Sequence, residues 1–341
     1  MPESQGDDAL KIDVFTHFAP PRYRAALKKK SSEGAYMLSP IDLTPAINDL
    51  DARRRIMDRY DRYVQVLTLA GPPLDAVVSQ EAGIELSKLV NDEMAELVAK
   101  YPDYFVSAAA TLPLHDMDAS LKELERAIEQ LGFRALQMHT PCADKPLDRE
   151  VFFPLYEMMS RYNLPILLHP MRRRSSADYP DEDHSRYWIW QVFGWPYEST
   201  TAMARMVFSG VLDAYPELKF IIHHCGAMIP FFAERIDSCY TYAEVYFKTR
   251  YSRRLRKPIK DYFRMFYADT ALHGNPPALM CGYDFYGADH ILFATDMPHD
   301  SQGGDRNIRD TIAGVEKMAI SEDERRLIFE DNARRLMRLP I

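Results

Sequence analysis

Residues Val207–Asp237 read VFSGVLDAYPELKFIIHHCGAMIPFFAERID, and the change of period inside them decides the fold. Ser199–Tyr215 carries apolar residues at helical spacing, Lys219–Cys225 (KFIIHHC) is a short near-continuous apolar run, and helical spacing returns over Ile229–Phe247. A strand buried on both faces reads as such a run, whereas a helix packed on one side repeats every 3–4 residues. The same unit recurs along the chain. Strand-like runs occupy Lys11–Phe18, Tyr63–Ala70, Phe105–Leu112, Phe133–His139, Leu164–Pro170, Met265–Thr270 and Ile291–Pro298. Helical patterns between and after them cover Pro45–Arg59, Ser79–Tyr101, Asp118–Leu131, Arg149–Arg161, Pro276–Tyr286, Asp305–Lys317 and, terminally, Glu322–Leu336. Eight strand–helix repeats predict an α/β protein of the (β/α)₈ TIM-like barrel type, with residues 1–341 forming one barrel domain.

Bulk properties narrow the function. The formal charge is −8 and 47% of the 341 residues are hydrophobic, which argues against a nucleic-acid binder and provides a large core. The basic stretch Arg253–Lys260 reads as a solvated face. No apolar run is long enough to span a bilayer, and Met1–Leu10 is polar and acidic rather than a leader, so a cytoplasmic protein is expected. The four cysteines lack CxxC spacing and read as free thiols. No GxGxxG or P-loop follows any strand. Two connections after strands are long, residues 19–44 and 171–196, and both belong to the face where barrel enzymes build their sites.

The chemistry concentrates at strand ends. Strand 1 ends in Phe15-Thr16-His17, strand 5 in His169-Pro170, strand 6 in His223-His224 and strand 8 in Thr295-Asp296. In a barrel these ends converge on one mouth. Imidazole and carboxylate are the donors that zinc or a similar divalent ion takes, with positions left open for water and substrate. Strand alternation predicts that His223 and His224 point to opposite faces. His139, His223, His273 and His299 are further candidate ligands or site residues, each with a structural reading as well. Arg172, Arg173 and Arg174 could hold a substrate carboxylate by bidentate pairing or simply form a solvated loop. Trp188, Trp190 and Trp195 read as a packed wall or a subunit contact, and Glu198 as a helix-start carboxylate or a supporting group.

The segments IDVFTHFAPP (12–21), LPILLHP (164–170), the quoted run 207–237 and LFATDMP (292–298), in this order, resemble the amidohydrolase superfamily in its aminocarboxymuconate-semialdehyde decarboxylase-like group. The resemblance implies metal ligation by His17, His169 and Asp296, and a general acid/base role for His224 in its His-x-Gly motif. It also implies a homodimer. Where that group has a first strand-1 ligand, this chain has Phe15, which cannot bind a metal, so the inherited ligand set shrinks to three.

The expected function is a metal-dependent lyase (decarboxylase) or hydrolase acting on a small carboxylated or cyclic molecule, with zinc foremost and manganese or iron as alternatives. His224 and Asp296 are its expected catalytic residues. Two other classes stay open. Loss of the ligand at Phe15 could mark a non-catalytic subunit of a hetero-oligomer with a paralogue, and the spare histidines could hold iron or manganese for an oxygenase.

Overall fold

The computed structural model describes residues 9–31 and 42–341. Eight strands form one parallel sheet in sequential order: β1 (Lys11–Phe18), β2 (Tyr63–Leu69), β3 (Phe105–Ala110), β4 (Ala135–Thr140), β5 (Pro165–Pro170), β6 (Lys219–Ile222), β7 (Tyr267–Asp269) and β8 (Ile291–Leu292). The ring closes where Val14 N donates to Phe293 O at 3.0 Å and His17 N donates to Met297 O at 2.7 Å. Helices fill the crossovers. Among the described residues three begin on side-chain caps, Asp49 accepting from Ala52 N, Ser79 from Ala82 N and Asp116 from Ala119 N, which satisfy amides that a helix start leaves open. The terminal helical segment opens on a capping box between Ser321 and Glu324.

Two apolar layers result. The outer one lies between strands and helices and holds, among others, Leu67, Leu136, Ile166, Phe220 and Phe266. The inner one fills the barrel with Ile12, Val14, Phe15, Val66, Ala109, Leu167, Ile221 and Leu292. Ala333, Leu336, Met337 and Leu339 of the terminal segment join this inner layer. Leu10 N donates to Glu330 Oε2 at 2.8 Å, so that segment closes the end where the strands start and leaves the other end open.

The register of β1 against β2 slips between Asp13 and Thr16, a bulge in the strand. It changes the phase of the side chains, so that Val14 and its neighbour Phe15 both belong to the barrel interior. Asp13 instead accepts hydrogen bonds from Tyr63 Oη, Thr295 Oγ1 and the amides of Phe15 and Thr295, tying β1 to the segment after β8.

Some expected boundaries shift. The ladder of β8 stops at Leu292, and the remaining residues to Pro298 follow β1 as a turn-rich segment. The connection 19–44 is not a plain loop: Pro21–Lys30 is helical, and residues 32–41 lie outside the described residues. The connection 171–196 is irregular apart from Ile189–Val192 and the start of the helix Gly194–Ser209. No helix among the described residues is long and apolar enough to cross a membrane. All four cysteines are free thiols.

Candidate active site

The open end of the barrel gathers the predicted side chains. His139 and His169 are register partners on β4 and β5, with ring centroids 5.3 Å apart. His17, at the end of β1, meets His169 edge-on at 5.3 Å and His299 at 4.8 Å. Asp296 stands among them. Its Oδ1 lies 3.1 Å from His17 Nε2 and 3.4 Å from His223 Nε2, and its Oδ2 lies 4.0 Å from His224 Nε2.

The expectation that His223 and His224 face opposite ways is overturned. The strand stops at Ile222, and His224 takes a left-handed backbone with φ 63°, so the period of two no longer applies. Both imidazoles turn toward Asp296, their centroids 4.0 Å apart. The turn continues left-handed through Cys225, Gly226 and Ala227, and a Cβ on Gly226 would meet Tyr286 Oη at 2.2 Å. Asp296 is also left-handed, at φ 61°. Non-glycine residues held in this region store strain that the surrounding packing must offset, a pattern concentrated at functional sites.

Protonation follows from burial and neighbours. Burial alone would raise the Asp296 carboxyl, but the adjacent His17 and His223 outweigh it and hold it well below the usual carboxylate range. Burial pushes His139 down to about 3, with His17 adding to it. His169 and His224 also fall well below the ordinary value, chiefly through burial. His223 goes the other way: burial opposes its charge, but Asp269 and Asp296 overcome it and raise the group to about 10. The cluster therefore offers mainly neutral imidazoles around one ionised carboxylate, the state in which these groups bind metal.

The donor set fits a divalent ion. His17 Nε2 and His223 Nε2 are buried and have no hydrogen-bond partner. His169 Nδ1 sits 2.6 Å from Pro170 O; as the donor there, it leaves Nε2 with a free lone pair. Among the described residues three donor sets have ligand atoms within 4.8 Å of one another: His17, His169 and His223; His17, Asp296 and His299; and His223, His224 and Asp296. Ligands bonded to one ion at about 2.0–2.1 Å stand roughly 3.0–3.4 Å apart, the spacing Asp296 keeps from His17 and His223.

Above the cluster lies a cavity of about 480 Å³. Imidazoles of His17, His139, His169 and His299 form its floor, and Trp188, Trp190 and Trp195 one wall. Among the described residues no Lys or Arg lines it. Arg172 is instead paired with Glu198 at 3.1 Å, Arg173 with Asp144 at 3.3 Å, and Arg174 is exposed. His273 is bonded to Asn307 at 3.1 Å and does not line the cavity.

Sequence reading missed Asp269. It ends β7 as Asp296 follows β8, and its Oδ2 lies 2.5 Å from His223 Nδ1, both side chains fully buried. Its position at a strand end in the segment MFYADT was the available signal. Arg53, also missed, is fully buried and donates to His17 O at 2.8 Å, fixing the His17 end of β1 from behind.

Residues 12–339 match the family model described as Amidohydrolase. The chain belongs to that family. This amidohydrolase is 31% identical to the γ-resorcylate decarboxylase of Polaromonas sp. (strain JS666) over 296 residues, 85% of this chain and 87% of the relative. It is 26% identical to a solved dihydroxybenzoic acid decarboxylase from Polaromonas sp. JS666 with bound manganese and the inhibitor 2-nitroresorcinol, at a TM-score of 0.78 over 96% of each chain. The 5-carboxyvanillate decarboxylase of Sphingomonas paucimobilis, 23% identical, shares the fold at a TM-score of 0.81 over 97% of this chain and 100% of that one. The amidohydrolase is thus an enzyme of decarboxylase or hydrolase type, and its His–Asp cluster offers the donors of a divalent metal site.

Proposed function

We propose that the protein decarboxylates a small aromatic carboxylate carrying a phenolic oxygen beside the carboxyl group. The observation that carries this is the pairing of the buried His–Asp donor cluster with a tryptophan-walled cavity that no Lys or Arg lines among the described residues. The donor set suits an ion that takes nitrogen and oxygen ligands together, manganese or zinc. The names of relatives such as γ-resorcylate decarboxylase and 6-methylsalicylic acid decarboxylase supply the substrate class.

His17, His169 and Asp296 would hold the ion, which supplies Lewis acidity toward the carboxylate and phenolic oxygens. The indoles of Trp188, Trp190 and Trp195 offer flat apolar surface to a ring and keep water from it. His169 packs edge-on against Trp195 at 5.2 Å, so the wall and the donor cluster touch. His224, kept neutral by burial and by the neighbouring His223, accepts the phenolic proton and returns a proton to the ring carbon bearing the carboxylate. The bond from that carbon to the carboxylate then breaks, CO₂ leaves, and the electron pair restores the aromatic ring.

The chain associates with a second copy through an exposed aromatic face. The helix Ala233–Tyr246 buries none of its residues in the single chain; its last residue Tyr246 is 69% exposed, and Phe231 and Phe247 beside it are 78% and 68% exposed. Apolar faces of this kind mark contact surfaces.

The test is CO₂ release from a panel of hydroxybenzoates, with the protein loaded with manganese or zinc and then stripped by a chelator. Release that needs both an ortho phenol and the metal supports the reading. Turnover of amides or lactones with no CO₂ release would replace it by hydrolysis.

A further inference from the structure

We propose that His223 is itself a metal ligand through Nε2, so that strand 6 provides the donor that the Phe15 position of strand 1 lacks. The proposal rests on the reading that the cluster holds a divalent ion. The site would then have four protein donors: His17, His169, His223 and Asp296.

The tautomer is set by Asp269. Its Oδ2 accepts from His223 Nδ1 at 2.5 Å, while its Oδ1 accepts from the amides of Cys225 and Ala271, both at 3.1 Å. A carboxylate held by two backbone amides is a rigid anchor, and an imidazole that donates from Nδ1 presents a bare lone pair at Nε2. That lone pair is fully buried, has no hydrogen-bond partner, and faces Asp296 Oδ1 at 3.4 Å. Without an ion, a proton on Nε2 offsets the repulsion between these two atoms; a divalent ion in the same place would displace that proton and take the lone pair. The donor atoms of His17 and His169 lie within 4.8 Å of each other and of that of His223.

Phe15 fixes the ring in this attitude. It stacks on His223 with centroids 4.1 Å apart and planes 20° from parallel, and its ring also lies 5.4 Å from His17 and 5.8 Å from His169. A non-ligating side chain thus fills the space among three imidazoles and orients the one on strand 6. Asp269 and Phe15 are positioning residues, and neither touches the ion.

The experiment compares wild-type protein with His223→Gln and Asp296→Ala, each checked for fold by circular dichroism. Cobalt(II) affinity is measured by chelator competition, and coordinated imidazoles are counted by pulsed EPR on the manganese(II) protein carrying ¹⁵N-histidine. The wild-type count is expected to be three and needs no variant to fold. His223→Gln is expected to show two, with affinity reduced at least about 100-fold, more than the loss of an outer partner costs. If His223→Gln binds as tightly as wild type with an unchanged count while Asp296→Ala loses the ion, His223 is a bridging imidazolium. The proposal then falls and the metal reading stands. If the wild type binds no ion, both fall.

Discussion

The ring of Phe15 lies face to face with that of His223, 4.1 Å between centroids, in the fully buried interior of the barrel. Packing and site are therefore coupled at one point. Phe15→Ala removes a whole buried ring and is expected to cost about 3–5 kcal/mol of stability. The check is the denaturant midpoint of the metal-free protein; a loss below about 1 kcal/mol would show that the stack carries little.

His224 is assigned the proton transfer and Asp296 a metal bond, so the two substitutions separate. His224→Asn is expected to lower kcat by about 10²–10⁴-fold while metal content stays at the wild-type level. Asp296→Asn is expected to lose metal and activity together. Parallel metal analysis and steady-state kinetics distinguish the two patterns.

The tryptophan wall is expected to act on binding. Trp195→Ala removes one aromatic partner worth about 0.5–1.5 kcal/mol, which raises KM by roughly 2–13-fold with a smaller change in kcat. A fall in kcat at constant KM would move Trp195 from holding the ring to supporting His169, against which it packs.

Burial sets the pH response of the metal-free protein. His139 titrates at about 3 in the fold and His169 well below its ordinary value, both under the value near 6.5 they have when unfolded. Below that unfolded value the unfolded chain takes up protons that the folded chain refuses. The stabilisation is present above about pH 6.5 and is lost as pH falls through the folded values. Denaturant midpoints are expected to drop between about pH 7 and pH 4.5, and the slope is expected to flatten in His139→Asn. A midpoint that rises with acid would contradict the assigned burial of neutral imidazoles.

The sheet was readable because parallel strands buried on both faces are apolar runs, and the starts of β1, β2, β3 and β6 fall where those runs begin. Strand ends were less readable, since at the mouth the ladder gives way to polar side chains and left-handed turns. His223 shows the consequence: alternation assigned it outward, but the chain leaves the strand at Ile222 and φ turns positive at His224. His17, His169 and Asp296 came from motifs that also name their chemistry. Asp269 carries no such motif, and only its contact with His223 reveals its role. The arginine run had two readings, and the ion pairs of Arg172 and Arg173 depend on how the loop folds against Glu198 and Asp144, which no local pattern encodes.

The central claim is metal-dependent protonation of a ring carbon with loss of CO₂. Its most direct test is turnover of 2,6-dihydroxybenzoate in D₂O by the metal-loaded protein, with the product examined by NMR and mass spectrometry. The account predicts resorcinol carrying one deuterium at the carbon that lost the carboxylate, formed only with metal present and suppressed in His224→Asn. Recovery of unchanged hydroxybenzoates across the panel, from protein shown to hold its metal, would contradict it.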